Sequence, residues 1–419
     1  MRQWHRSKGE IQMKALVLAG GYPQIALIQE LKNRGIETVL ADWYETPVAR
    51  EYADVFYQVS TLDVEGITQV ALKEKVDFLI TACTDQALLT VAKVSEELGL
   101  PCYIDHQTAL NVTNKAYMKK VFAEHQVPTA QYIVMGQLDI AAISHMQYPV
   151  IVKPVDCNSS KGVKKVYNLD ELKAAFSDAV NMSRTKTAIV EEFVTGDEIS
   201  VDLYVENGVA KVLCVSNSEK IAADDKFVIF RAKYPVAASD AILEQIQDTA
   251  QRIVDAFGLK NCPMLLQLLT DGKRIFVLEF SARTGGCVKY QLIKRVSGFD
   301  VISAVVDLTL GNKPHVEKKE PESKYISNEF IYCKPGVFDH LEGAEELKEA
   351  GVISEYFVFK WKGATFDGVE NSGDRAAGFT IQANDIEELL EKHKKAAAKL
   401  RVLDDQGRDI MRHDLLTDL

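Results

Sequence analysis

The 419-residue sequence has no apolar run of about 18 residues, the length a helix needs to span a bilayer. It has no CxxC pair and no HExxH motif, and its eight histidines form no close pair at metal-ligand spacing. Seven cysteines, at 83, 102, 157, 214, 262, 287 and 333, are odd in number and dispersed. These absences argue against a membrane span, a disulfide framework and a zinc ribbon, and they fit free thiols in a reducing cytosol. Positive charge is also short. Against 60 acidic residues stand 49 basic ones, a net −11 that disfavours the nucleic-acid backbone and suits a protein handling small molecules. The expectation is a cytoplasmic protein with neither a nucleic-acid nor a membrane partner. Residues 1–12, MRQWHRSKGEIQ, lack the apolar stretch of a secretory signal and read as a disordered extension or an upstream start.

Hydrophobic residues at 47% and charged residues at 26% are the balance of a globular protein, and the length suggests roughly three units. From Met13, strand and helix patterns alternate: KALVLAG, QIALIQELKNRG closed by Gly35, ETVLAD, a helix and strand near 52–59, a helix from Thr68, and DFLITAC. That alternation predicts a parallel sheet with helices on both faces, a Rossmann-like unit over 13–110. Gly20-Gly21 ends the first strand, where such sheets bind ligands, and Asp42 stands where a dinucleotide fold keeps its ribose acid. However, GGYPQ is not GxGxxG and Pro23 removes a backbone donor, so a plain tight turn is the preferred reading. Thr84 and Asp85 could face a substrate, with capping of the next helix preferred.

A second unit, 111–186, opens with the helix NKAYMKKVFAEHQVP and continues through the strand YPVIVKPV, the loop and strand DCNSSKGVKKV and the helix DELKAAFSDAV. A third, 187–312, holds strands TAIVEEFV, EISVDLYV and VAKVLCVS, the last two joined by a hairpin at Glu206-Asn207-Gly208. It continues with the helix ILEQIQDTAQRIVDAFG and the strands MLLQLL and RIFVLEF around Asp271-Gly272. The charged, proline-interrupted stretch GNKPHVEKKEPES marks a boundary before a small α+β unit, 313–419. Its expected strands are YISNEFIYC, YFVFKW and AGFTIQA. Its closing helix starts at Asn384 with Glu387 in a capping box and apolar positions 386, 389, 390, 397 and 400.

Four features in order carry chemistry: Lys115, Lys153 before its polar loop, the segment VEEFVTGDEISVD, and the pair Gln267 and Glu279 followed by SARTGG. Lys115 at a helix start and Lys153 at a strand end suit a polyphosphate, each ammonium being a point charge with three donors. The loop that includes Ser160, Lys161 and Gly162 can close over the same phosphates with backbone N–H groups. Oxygens of Gln267 and Glu279 suit Mg²⁺. Arg283, beside Gly285-Gly286, offers a forked cation for a carboxylate or a transferred phosphoryl group. Because side chains alternate along a strand, Gln267 and Glu279 share a hairpin face only across a loop of odd length. The three-residue loop Thr270-Asp271-Gly272 is therefore predicted, with Gly272 left-handed.

The ordered motifs NKxxMK, VKPxxxxxSKGV, EEFVxGxEISVD and LEFxARTGG resemble the ATP-grasp superfamily, especially its carbamoyl-phosphate-synthase-like and carboxylate–amine ligase branches, similar to L-amino acid ligases. The resemblance runs from about Met13 to near the C-terminus. It implies a Rossmann-like pre-ATP-grasp domain, a two-lobed ATP-grasp domain (small lobe 111–186, large lobe 187–312) and a small C-terminal α+β subdomain. It implies that Lys115 and Lys153 bind the α- and β-phosphates of ATP. Glu191 and the backbone of Glu192 and Val194 would edge the adenine, and Glu198 would hold the ribose. Gln267, Glu279 and Ser281 would ligate Mg²⁺ or Mn²⁺, with Ser281 standing where family members usually carry Asn. Arg283 would stabilise the acceptor carboxylate or acyl phosphate, with Lys153 and Lys161 supporting catalysis. The implied activity is ADP-forming ligation of a small carboxylate to an amine, and the implied assembly a homodimer. The alternatives are a bicarbonate-activating enzyme of the carbamoyl-phosphate or biotin-carboxylase kind, for which no glutaminase or biotin-carrier segment is seen, and a nucleotide-binding pseudoenzyme, motivated by Ser281.

Overall fold

The computed structural model describes residues 12–157, 161–221 and 227–416. Nearly all of the expected N-terminal extension, and Ser160, lie outside these. The first unit runs β1 (Lys14–Leu18), α1 (Tyr22–Asn33), β2 (Glu37–Asp42), β3 (Val55–Gln58), α2 (Val64–Glu74), β4 (Phe78–Ile80) and α3 (Asp85–Leu98). The strands form a parallel sheet in the order β3-β2-β1-β4. Alternation sends Leu16, Leu18, Val39 and Leu79 under α2 and α3, and Ala15, Val17, Leu40 and Ile80 under α1. α2 begins four residues before the expected Thr68, because the Asp63 carboxylate caps it by accepting from the Gly66 N–H. The helix expected near residue 52 is only a 3₁₀ turn, Arg50–Tyr52. Asp42 accepts from the N–H groups of Gly20 (2.6 Å) and Tyr44 (2.7 Å), so its carboxylate ties two loops together and is engaged by backbone. A Cβ on Gly20 would lie 2.5 Å from Pro47 Cβ, which explains the glycine by close approach.

Helix α4 (His106–Thr113) runs across the expected boundary at 110, and α5 (Lys115–Glu124) follows it. Next come β5 (Tyr132–Met135), β6 (Val150–Pro154), β7 (Lys164–Val166), α6 (Leu169–Met182) and β8 (Ala188–Glu192), which build a four-stranded antiparallel sheet in the order β5-β8-β6-β7. β8 was expected to open the large lobe. It pairs instead with β5 and β6, so the chain leaves the small sheet only after Glu192.

The large sheet has eight strands in the order β13-β12-β9-β10-β11-β14-β18-β16. It draws on β9 (Asp197–Glu206), β10 (Val209–Lys220), β11 (Ile229–Tyr234), α7 (Asp240–Phe257), β12 (Cys262–Thr270), β13 (Ile275–Ser281), α8 (Lys289–Ser297), α9 (Val301–Thr309) and β14 (Tyr325–Ile331). The remaining elements are β15 (Gly336–Glu342), α10 (Ala344–Glu349), β16 (Glu355–Val358), β17 (Thr365–Phe366), β18 (Ala377–Ala383), α11 (Ile386–Lys399) and β19 (Arg401–Asp404), with β17-β15-β19 as a separate sheet. Asn207 and Gly208 both have positive φ, 51° and 84°, and make a two-residue turn at the expected hairpin between β9 and β10. The irregular stretch after α9 is where the boundary was expected, yet β11 pairs with β14 across it, so both sides share one sheet. α11 is capped by Asp385 and Glu388, one residue later than expected, with Glu388 accepting from the Asn384 N–H. Its buried face is Leu389, His393 and Ala396, while Ile386 and Leu390 stay exposed. Among the described residues no helix is long and apolar enough to cross a membrane.

Candidate active site

A cleft separates the four-stranded sheet from the β9-β12-β13 end of the large sheet. On β9, Ile199, Val201, Leu203 and Val205 enter the core beneath α7. Period-two alternation leaves Glu198, Ser200 and Asp202 on the opposite face. On β12 the core takes Met264, Leu266 and Leu268, leaving Gln267 and Leu269 to line the cleft.

β13 departs from this regularity. Thr270 pairs with Ile275, so the connecting loop is Asp271–Arg274, four residues and even. The predicted three-residue loop is therefore wrong, although Gly272 is left-handed at φ +84°. With an even loop and an unbroken ladder, Glu279 would face away from Gln267. A bulge between Gln267 and Leu268 corrects this, placing Glu279 directly opposite Gln267 with Leu278 as the extra residue. The core residues record the slip: Ile275 and Val277 are odd, Phe280 and Ala282 even. Phe276, Leu278 and Glu279 all line the cleft. The shared face exists, produced by the bulge and not by the loop.

Lys115 opens α5, whose N-cap Asn114 accepts from the Tyr117 N–H. Its Nζ lies 2.8 Å from Glu279 Oε2 and donates to the Cys157 carbonyl at 2.8 Å. Burial works against the charged ammonium, but Glu279 outweighs it and holds the Lys115 pKa above the ordinary value. Burial likewise opposes ionisation of Glu279, and Lys115 outweighs that, holding the carboxyl below its usual range. Lys153, at the end of β6, donates to Glu191 Oε1 at 2.5 Å.

Sequence reasoning missed the third member of this cluster. Lys119 is 1% exposed, 3.1 Å from Glu191 Oε2 and within 2.5 Å of the Thr129 hydroxyl, which donates to the Val277 carbonyl. It lies between Met118 and Val121-Phe122 on the buried side of α5, a spacing that could have revealed it. Burial pushes the Glu191 carboxyl up, but Lys119 and then Lys153 overcome it and hold its pKa at about 2. Two lysines around one carboxylate leave one positive charge in excess.

Glu192 and Val194 line the cleft where the chain leaves β8, beside the apolar surfaces of Ile151, Val163 and Phe276. Glu198 is ion-paired to Lys220, also missed from sequence, and accepts from Gln267 Nε2 at 3.3 Å. Lys161 is exposed and does not line the cleft, and Gly162 sits in a turn at φ +74°. Ser281 is buried and cross-strand from Leu265. Arg283 does not reach Glu279. Its Nε donates to Asp85 Oδ1 at 2.9 Å and a second N–H donates to Oδ2. The capping role preferred for Thr84 and Asp85 fails, since Thr84 makes no side-chain cap and Asp85 is committed to Arg283.

The donor chemistry fits a nucleotide and a divalent cation. Lysines held by carboxylates can exchange these for phosphate oxygens, and apolar walls suit a planar base. One carboxylate with amide and hydroxyl oxygens suits Mg²⁺, which keeps phosphates and water in its shell. Among the described residues no three His, Cys, Asp or Glu side chains gather as a metal set.

Residues 146–291 match the ATP-grasp domain family. A formate-dependent phosphoribosylglycinamide formyltransferase of Ignicoccus hospitalis is 27% identical over 405 residues, 93% of this chain and 96% of the relative. The enzyme of the same name from Sulfurisphaera tokodaii is 29% identical over 282 residues, 64% of this chain and 70% of the relative. The crystal structure of L-amino acid ligase from Bacillus licheniformis superposes with a TM-score of 0.76 at 17% identity, covering 95% of this chain and all (100%) of that one.

Proposed function

From the premise that the chain carries an ATP-grasp domain, we propose that it is an ADP-forming carboxylate–amine ligase. The observation that carries this reading is the bulge that sets Glu279 opposite Gln267 while Lys115 and Lys153 converge from α5 and β6. Lys115 and Lys153 take the phosphates of ATP, the backbone of Glu192 and Val194 edges the base, and Glu198 holds the ribose. Gln267, Glu279 and Ser281 hold Mg²⁺, which when bound neutralises charge on the transferred phosphoryl group. Arg283 orients the substrate carboxylate, whose oxygen attacks the γ-phosphorus as the bond to ADP breaks. An amine then attacks the acyl carbon and displaces phosphate. No protein nucleophile takes part, so the residues act by positioning and by fixed charge. The half-buried Arg283 guanidinium supplies a pre-oriented cation, its charge favoured by Asp85 against the cost of partial burial. All seven cysteines are free thiols, in keeping with a cytoplasmic setting.

The test is ADP release from Mg²⁺-ATP across a panel of small carboxylates, with hydroxylamine as the amine. Carboxylate-dependent ADP and a hydroxamate product are expected. ATP binding with no turnover on any carboxylate would favour a nucleotide sensor instead.

A further inference from the structure

The side chain that meets Glu198 in the cleft belongs to none of the four motifs. Ser216 on β10 stands opposite Ser200 on β9, so alternation carries Ser218 and Lys220 onto the face that holds Glu198. From the end of β10 the Lys220 ammonium ion-pairs with Glu198 and lies 5.1 Å from the centre of the Phe227 ring. All three side chains line the cleft. The Glu198 side chain is 5% exposed and its other oxygen accepts from Gln267, whereas the Lys220 side chain is 24% exposed. The carboxylate is thus braced, and the ammonium keeps a side open to the cleft.

Such a pair has a chemical preference. A carboxylate only accepts hydrogen bonds, an ammonium only donates them, and a hydroxyl does both. A hydroxyl set against the pair donates to Glu198 and accepts from Lys220 at once. A hydrogen atom in its place does neither. A charged donor suits this position better than a neutral one, because a buried carboxylate stripped of its counter-charge is strongly destabilised. The face of the Phe227 ring gives the ammonium a second favourable neighbour.

Resting on the ATP reading above, we propose that Lys220 is a further nucleotide-binding residue, which with Glu198 reads a ribose hydroxyl as donor and acceptor together. The pair thereby selects the ribonucleotide over the deoxynucleotide that lacks this hydroxyl. Lys115 and Lys153 meet the phosphates, and Lys220 meets the sugar. Its part lies in recognition and positioning, not in phosphoryl transfer.

The experiment is calorimetric binding of Mg²⁺-ATP, 2′-deoxy-ATP and 3′-deoxy-ATP to the full chain, unaltered and as Lys220→Met and Lys220→Arg. The unaltered protein should prefer ATP to at least one deoxynucleotide by about 10- to 100-fold, the range for hydrogen bonds to charged groups. Lys220→Met should lower that ratio about tenfold, and Lys220→Arg, which keeps a charged donor, should hold most of it. If the Met variant does not fold, Lys220→Gln takes its place, and its weaker, uncharged donor should still lower the ratio. A lysine that merely props the fold would weaken all three nucleotides alike and leave the ratio unchanged, which overturns the assignment. Equal affinity of the unaltered protein for all three overturns it too and leaves the ATP reading standing. No binding of any of them overturns both.

Discussion

Lys119 shows how much a single side chain can carry. A lysine in the core is tolerable only when its charge is met, and Glu191 and the Thr129 hydroxyl meet it. Under the proposed reading, in which phosphate draws Lys153 away, Lys119 is the counter-charge left to hold Glu191. Lys119→Met should cost about 3 kcal/mol in urea unfolding and weaken ATP affinity by calorimetry, with Lys119→Arg retaining more of both. Glu191 itself gives a pH signature. Its folded pKa, about 2, lies below the unfolded 4.5. The associated stability is therefore complete above about pH 5 and lost as pH falls through 4.5 toward 2. Urea midpoints measured across that range should fall less steeply in Glu191→Gln than in the unaltered protein. Lys115, Lys153, Glu198, Gln267 and Glu279 were all named from their motifs and all line the cleft. Asp85 was read as a helix cap because its partner lies 198 positions away, and nothing local distinguishes the two roles.

At the scale of elements, β12 and β13 illustrate what local pattern can and cannot reveal. The strands and the place of their turn were legible from MLLQLL, RIFVLEF and Asp271-Gly272, but the turn's length was not. The bulge was not, because Phe276, Val277 and Leu278 are all apolar and conceal the slip in alternation that puts Glu279 over the cleft. Neighbouring β9 is held by an equally close contact. A Cβ on Gly196 would lie 2.3 Å from the Thr270 carbonyl oxygen, a backbone atom that cannot swing aside. Gly196→Ala should therefore push the start of β9 away from the end of β12, displacing Glu198 from Gln267. The expected result is a loss of about 1–3 kcal/mol in stability together with weaker ATP binding. A substitution that lowered thermal stability while ATP affinity stayed intact would show that Glu198 is positioned by something else.

For the whole molecule, the first unit is not self-sufficient. Its sheet packs on α1 and also on Ile302, Val305 and Val306 of α9, a helix that comes only after β13 in the chain. Tyr22 adds edge-on contacts to Phe357 and Phe359, at 5.4 and 5.5 Å between ring centroids. A fragment ending at Thr113 would expose this apolar face. We expect it to bind a hydrophobic dye and to melt without a cooperative transition, whereas the full chain should not bind the dye; a sharp two-state melt of the fragment would disprove the dependence. The sequence alone determined the alternating architecture, most strands and helices, and the identity of the charged and amide residues that line the cleft, since hydrophobic period and short motifs act over a few residues. Only the tertiary structure decided that β8 belongs to the small sheet, that the large sheet runs on into the C-terminal residues, that a bulge turns Glu279 inward, and that Asp85 meets Arg283. Each of these depends on strand partners or charges brought together from distant positions, and pairing energy between distant segments leaves no periodic trace in either one.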